Sequence, residues 1–282
     1  MVLASVCVFR YFSPLVSNRM PLIANSILSR AFFSLLPRRG LQVAASASSS
    51  NSTSQLDSVA PVTERWKPLC LYHTQGKCTK ADDVSHLAKF NHNCFKDLQV
   101  NAADLKCLCS QHLDYVLVLD LEGKVEILEF PVIIIDAKTL DVVDFFHRFV
   151  RPSIMSEQRV NEYIEGKYGK IGVDRGNWDL KTKVPQQCKV SKVKLPQYFM
   201  EWINLKDIYL NFYHRRATGM MTMMKELEIP LVGSHHLGID DTKNISRVLQ
   251  RMLVDGVVLH ITARRHSSSP ENVDFLFKNR IR

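Results

Sequence analysis

The chain has 282 residues, 46% of them apolar, and a formal net charge of +9. That is room for one sizeable domain and something smaller, with the apolar fraction of a globular protein. No apolar run is long enough to span a bilayer as a helix, so no membrane partner is expected, and seven cysteines, odd in number and unevenly spread, exclude a secreted disulfide framework.

Residues 1 to about 55 hold no acid: the first is Asp57. Arg10, Arg19, Arg30, Arg38 and Arg39 carry the charge, and serine is dense up to Ser54. An acid-free, Arg- and Ser-rich start is the composition of an organelle transit peptide. The serine content points to a chloroplast, with a mitochondrion as the alternative. Val43-Ala44-Ala45 is the expected processing site. Removing five arginines and no acids takes the charge from +9 to +4. Bulk charge is then a poor argument for nucleic acid.

Residues 65–98 form a small segment with Cys70, Cys78, His86, His92 and Cys94. Such residues at short loop spacings are zinc ligands. Cys70 and Cys78, with Gly76 between, are similar to the first half of a CCCH-type zinc finger. The expected Zn²⁺ ligands are Cys70, Cys78 and His92, with His86 or Cys94 as the fourth. The plainer reading is a short helical segment with incidental Cys and His.

An α/β domain is expected over residues 113–282. Tyr115 to Glu122, YVLVLDLE, reads as a buried strand ending in two acids on the same face. Val125 to Asp136 and Val142 to Val150 read as the next two strands of a meander, with Pro131 at a bulge or edge. Helices are expected within Leu195 to Arg215 and over Thr218 to Leu227, the latter's methionines in the core. Gly233 to Asp241 reads as a loop, Thr242 to Leu253 as a capped amphipathic helix, and Val257 to Thr262 as a last strand.

Asp120 and Glu122 repel unless a cation lies between them, and hard oxygen ligands suit Mg²⁺ or Mn²⁺. Asp179 and Asp241, each near a helix start, add further carboxylates. His236 precedes Asp241 by a short loop and could take a proton from a polarised water. Four carboxylates and one imidazole suit a two-metal phosphodiester hydrolase. His235 with Asp240 has the same spacing, so spacing alone leaves the register open.

The order Asp120-x-Glu122, Trp178-Asp179, then His236, Gly238, Asp240, Asp241, Thr242, Lys243 and Asn244 resembles the DEDDh 3′→5′ exonucleases. Within them it is similar to the "enhanced RNA interference" exoribonucleases, and its leader and Cys/His segment look like those of an organelle-targeted plant branch. Glu129-Phe130-Pro131, Phe149 to Pro152 and Trp202 to Tyr213 add to the resemblance, which covers residues 65 to 282. It implies an RNase H-like α/β fold with a mixed sheet. It implies two Mg²⁺ ions held by Asp120, Glu122, Asp179 and Asp241, and His236 as general base. It also implies RNA 3′ ends, ribosomal or small RNA, as substrate and 5′-mononucleotides as product. Glu122, Trp178 and Lys243 are then the expected substrate-binding residues.

One departure stands out. Asp120 and Asp179 are about sixty residues apart, whereas a crossover helix and the next strand need roughly forty more. Val173-Asp174-Arg175 runs directly into Gly176, as after an internal deletion. The strand beside Asp120 is therefore expected to be missing, the sheet to show an open edge, and Asp179 to be displaced. An RNA-binding protein with an impaired catalytic site is the alternative function.

Overall fold

A computed structural model of the chain describes residues 5–9, 66–123, 125–162 and 179–281. The processing site, the Arg175-Gly176 junction and Trp178 lie outside them. The first strand is β1 (Ser5–Phe9), and two four-residue helices follow, α1 (Leu71–Thr74) and α2 (Val84–Leu87). The meander is β2 (Tyr115–Leu119), β3 (Glu129–Asp136) and β4 (Val142–Phe149). After a wide helical turn at Asp179–Lys183 come α3 (Val184–Val190), β5 (Glu201–Asn204), α4 (Leu205–Tyr213) and α5 (Met220–Glu226). The chain closes with α6 (Gly238–Val254), β6 (Ala263–Arg265) and β7 (Val273–Phe275).

The strands form one sheet in the order β4-β3-β2-β1-β5-β6-β7. Strands β2 and β5 run in the same direction, and β1 lies between them, antiparallel to both. The expected open edge beside β2 is thus filled by Ser5–Phe9, a segment that sequence analysis assigned to the leader.

Strand alternation explains how both faces are buried. Val116 and Val118 of β2, with Ile133 and Ile135 of β3, join a cluster made with α4, α5 and α6. Leu119 and Val132 turn to the other face, where Leu180, Val184 and Trp202 cover them. Each such aliphatic side chain contributes about 1.5–3 kcal/mol on burial. Met220, Met223 and Met224 lie in the core, as their helical spacing predicts. Continuing the alternation, Asp120 emerges on the face of Val116 and Val118, the face that α6 covers. Pro131 sits just past the last pair with β2, Leu119 with Val132, so no partner is denied a donor there. The register shift in β3 lies instead between Ile134 and Ile135.

Several boundaries differ from expectation. Residues 125–128 form a turn, not strand, because Glu126 is drawn into other bonds. Within Leu195 to Arg215 the structure has a strand before the helix: Trp202 and Ile203 are wholly buried, and Asn204 caps α4 by accepting from the Lys206 N–H. Helix α6 starts at Gly238, four residues before Thr242. Residues 257–262 are not strand, and β6 and β7 follow them.

Glu126, in the β2–β3 turn, holds the segment after β4. Its carboxylate accepts from Ser153 N–H and Oγ, Ile154 N–H and Met155 N–H, all at 2.8 Å. Burial alone would raise its pKa, but these donors hold it below the ordinary value of 4.5. A depressed carboxylate stabilises the fold above its unfolded pKa and loses that contribution as pH falls through the folded one. Glu126→Gln is therefore expected to cost about 1–3 kcal/mol at pH 7 by urea unfolding, the deficit shrinking below about pH 4.5.

Candidate active site

Strand β2 ends at Leu119, delivering Asp120 to the sheet's end. Glu122 is held by a bridge to Glu129, its N–H donating to the Glu129 carbonyl at 3.1 Å. Gly123 makes the following turn: its φ is +129°, and a Cβ there would meet the Glu126 carbonyl oxygen at 2.0 Å. From the other side, Asp241 lies in the first turn of α6 and is fully buried. Carboxylate oxygens of Asp120, Glu122 and Asp241 lie within 4.8 Å of one another.

The trio is electrostatically demanding. Burial, then the charges of Glu122, Asp179 and Asp241, hold the Asp120 carboxyl well above the usual carboxylate range. Its Oδ2 is buried without a hydrogen-bond partner among the described residues. Crowded oxygens with an orphaned lone pair fit a hard divalent cation such as Mg²⁺, which would relieve both the repulsion and the unpaired atom.

Asp241 is oriented on both oxygens. The His236 N–H donates to Oδ2 at 2.7 Å, and His235 Nδ1 lies 3.0 Å from Oδ1. The two imidazoles stack with centroids 3.9 Å apart. Ring nitrogens of both histidines come within 4.8 Å of an Asp241 oxygen. Asp241 is the acid that joins the carboxylate trio, whereas Asp240 turns away and accepts from the Ser234 N–H at 2.8 Å. Asp240 fills the space above Gly233, where a Cβ would meet its Cγ at 2.3 Å. Burial pushes its carboxyl up to about 6.

Asp179 stands beside the trio but outside it. Its Oδ2 accepts from the Leu121 N–H at 3.3 Å, and its Oδ1 is ion-paired with Lys183 at 2.9 Å, one turn on. Burial penalises the Lys183 ammonium, yet Asp179, Asp120 and Glu122 together keep its pKa raised. Lys183 also donates to the Leu121 carbonyl. The expected fourth metal ligand is thus already neutralised by a lysine. Lys243, expected at the substrate, is buried and pairs with Asp97 at 3.1 Å, which commits its ammonium to the N-terminal segment.

Sequence reasoning missed Glu129 as a site residue. Its carboxylate accepts from Gly238 N–H at 3.0 Å and Ile239 N–H at 2.9 Å, capping α6 from another element. That bond explains why α6 begins so early. Gly238 makes it reachable, since a Cβ there would lie 2.9 Å from the Glu129 carboxyl carbon and 3.0 Å from Glu122 Cγ. The Glu129-Phe130-Pro131 motif was the available signal, but nothing local in it shows a cap across the domain.

The N-terminal segment has its own cluster. Ligating atoms of Cys70, Cys78, His86 and His92 lie within 4.8 Å of one another. Cys78 Sγ is 3.6 Å from His86 Nε2 and 3.7 Å from His92 Nε2, and the two nitrogens are 3.1 Å apart. Of the two expected alternatives, His86 is the one within this group. Cys94 is outside the set, its buried thiol contacting the His92 carbonyl and pushed up to about 11 by burial.

A sheet that ends in buried acids, met by a helix bringing an Asp and a His loop, defines a metal-dependent nuclease fold. The chain belongs to the exonuclease-domain family. An exonuclease domain-containing protein of Arabidopsis thaliana, described as uncharacterised, is 56% identical in a match spanning 260 residues and 77% of each chain. The 3′-5′ exoribonuclease 1 of Homo sapiens is 29% identical over 55% of this chain and 57% of its own length. The chain thus spans a little over half the length of that relative. A solved structure described as 3′-end specific recognition of histone mRNA stem-loop by 3′-exonuclease has a TM-score of 0.50 and 26% identity, covering 61% of this chain and 73% of its own. No protein-family model matches.

Glu129→Gln replaces one acceptor oxygen with a donor facing an N–H group. It is expected to cost about 1–3 kcal/mol in urea unfolding and to lower metal-dependent activity, because the first turn of α6 carries Asp241. An unchanged unfolding midpoint would rule out the capping role.

Proposed function

We propose that the protein is a metal-dependent 3′→5′ exoribonuclease that trims the 3′ ends of ribosomal or small RNA in an organelle, the chloroplast first and the mitochondrion as alternative. The observation that carries this is the convergence of Asp120, Glu122 and Asp241, with Asp120 Oδ2 unpartnered and two imidazoles alongside. Those three carboxylates would hold Mg²⁺ (or Mn²⁺), with Asp179 as the fourth ligand once Lys183 releases it. When bound, the divalent ions lower the pKa of the attacking water and neutralise the leaving 3′ oxygen.

The chain's own groups do the rest. The water oxygen bonds to the terminal phosphorus as the bond from phosphorus to the 3′ oxygen breaks. His236 takes the water's proton, which suits an imidazole near neutral pH. The leaving 3′ oxygen takes up a proton from solvent, so the products are a 5′-mononucleotide and an RNA shorter by one residue with a free 3′ hydroxyl. In this reading Glu122, less buried than Asp241, would receive the terminal sugar, and Trp178 is the aromatic that the sequence offers for stacking on a base.

The organisation proposed with this is a transit peptide over residues 1–55, a zinc segment over 65–98 and the exonuclease domain over 113–282. Four tetrahedral ligands at about 2.3 Å from zinc for sulfur and about 2.0–2.1 Å for nitrogen would be separated by roughly 3.6 Å (S to N) and roughly 3.3 Å (N to N). The cluster's 3.6, 3.7 and 3.1 Å match that spacing and support Zn²⁺. An internal deletion before Asp179 is part of the same reading. The Arabidopsis match spans 260 positions, but 77% of 282 residues is about 217, leaving about 43 positions without a counterpart. With β1 borrowed from the leader, processing near Ala45 would open the sheet beside β2.

The ion pair of Asp179 with Lys183 favours a second reading, an RNA-binding protein whose catalytic site the deletion has impaired. One assay separates the two. Purified full chain with Mg²⁺ and 5′-labelled RNA is expected to shorten the RNA stepwise from its 3′ end. Asp120→Ala and His236→Ala are each expected to lose at least about a hundredfold in kcat with native far-UV spectra. RNA retention without turnover, rescued by inserting the forty missing residues, would establish the second reading instead. Residues 1–55 fused to a fluorescent protein are expected to enter chloroplasts; diffuse cytosolic fluorescence would reject the organelle assignment.

A further inference from the structure

The Cys/His cluster is joined to the nuclease centre by two routes. Cys70 is the N-cap of α1, and Thr74 ends the same helix. The Thr74 hydroxyl bonds to the Leu71 carbonyl at 3.1 Å and meets His147 Nδ1 at 2.7 Å, in a buried contact. His147, wholly buried on β4, reaches Glu129 Oε1 through Nε2 at 3.0 Å. Glu129 in turn caps α6 through the N–H groups of Gly238 and Ile239, two residues from Asp241. Every link is a direct hydrogen bond between groups with little or no solvent access, so a shift at one end has few ways to be absorbed.

The second route is apolar. Leu69 and Cys94 flank the cluster in sequence and pack with Ile239 in one small core, against which Leu237 and Phe145 lie. Leu69 is paired with Asn91, which precedes His92, and Cys70 N–H donates to the Asn91 carbonyl at 3.0 Å. Nothing regular holds these loops: α1 and α2 are one turn each. A four-residue helix has no stability of its own in water, so the segment's order depends on its tertiary contacts and on a cross-link at its Cys/His cluster. The Lys80 N–H donating to Cys78 Sγ at 3.4 Å is the kind of donor that a metal-bound thiolate takes.

We propose that Zn²⁺ bound by Cys70, Cys78, His86 and His92 is a positioning element for the exonuclease centre, setting the first turn of α6 through Thr74, His147 and Glu129. The nuclease domain is then complete only with its metal clasp, and zinc loss lowers turnover by loosening the backbone around His236 and Asp241. This rests on the exonuclease reading for its kinetic consequence but not for its structural one, and the experiment keeps the two apart.

The full chain is prepared without added metal, and its zinc is measured by mass spectrometry. Hydrogen exchange over residues 233–245 and Mg²⁺-dependent RNA degradation are followed in the same samples. About one zinc per chain is expected. Cys78→Ser, or treatment with a chelator selective for zinc over magnesium, is expected to remove it, speed exchange over 233–245 and lower kcat about tenfold with KM little changed. Re-addition of Zn²⁺ is expected to reverse the chelator's effect. Thr74→Val should keep the zinc yet show the same faster exchange and lower kcat, and Thr74→Ser, which restores the hydroxyl, should recover both. Cys94→Ser should keep its zinc. A full chain without zinc, or a zinc-free chain with unaltered exchange over 233–245, overturns the proposal. If no sample degrades RNA, the nuclease reading fails alone, and the zinc content and exchange still decide this one.

Discussion

Glu129 is the interaction on which the rest of the site depends. A helix that opens inside a protein leaves several N–H groups without partners, and each costs free energy when water is excluded. Here the acid of a neighbouring strand takes two of them at 2.9 and 3.0 Å. That choice fixes where α6 starts, which side of it faces the sheet, and so where Asp241 falls relative to Asp120. The same carboxylate binds His147, which places β4 and the N-terminal segment in the same register. One buried charge thereby ties three separately encoded parts of the chain to a common origin.

The acids around it divide the work by environment, not by type. Asp120, Glu122 and Asp241 meet at one buried point, and burial with the charges of its neighbours holds the Asp120 carboxyl well above the usual carboxylate range. Asp179 has the same chemistry but a different neighbour, and Lys183 makes it an ordinary ion pair. Asp240, next to Asp241 in the chain, is turned away from the trio and fills the space over Gly233 while remaining buried. Glu126 binds four donors and anchors a connection. Position in the fold decides which carboxylate is available to a cation.

Much of this was legible in the chain. The alternation of YVLVL announces a two-sided strand, and the same period carries Asp120 to the face of Val116 and Val118. The methionine spacing of α5 and the apolar stripe of α6 are similarly plain. Features that stayed hidden are those set by distant partners. The start of α6 depends on an acid about 110 residues earlier, and β5 is four residues whose strand character comes from burial of Trp202 and Ile203, not from local pattern. Residues 5–9 have the composition of a leader, and composition says nothing of their pairing between β2 and β5. The choice between His86 and Cys94 is likewise geometric, since both have suitable spacing but only His86 lies with Cys70, Cys78 and His92, while Cys94 packs with Leu69 and Ile239.

His236 has a backbone φ of +74°, in the left-handed region that a β-carbon disfavours by about 1 kcal/mol or more. That twist is what aims its amide at Asp241 Oδ2 while its ring stacks on His235. The residue therefore contributes twice, once as main chain and once as imidazole, and the two contributions are genetically separable. An alanine there would erase the ring but leave the amide in place, and glycine would even ease the twist. Proline alone, lacking the hydrogen and locked to negative φ, would strip both at once.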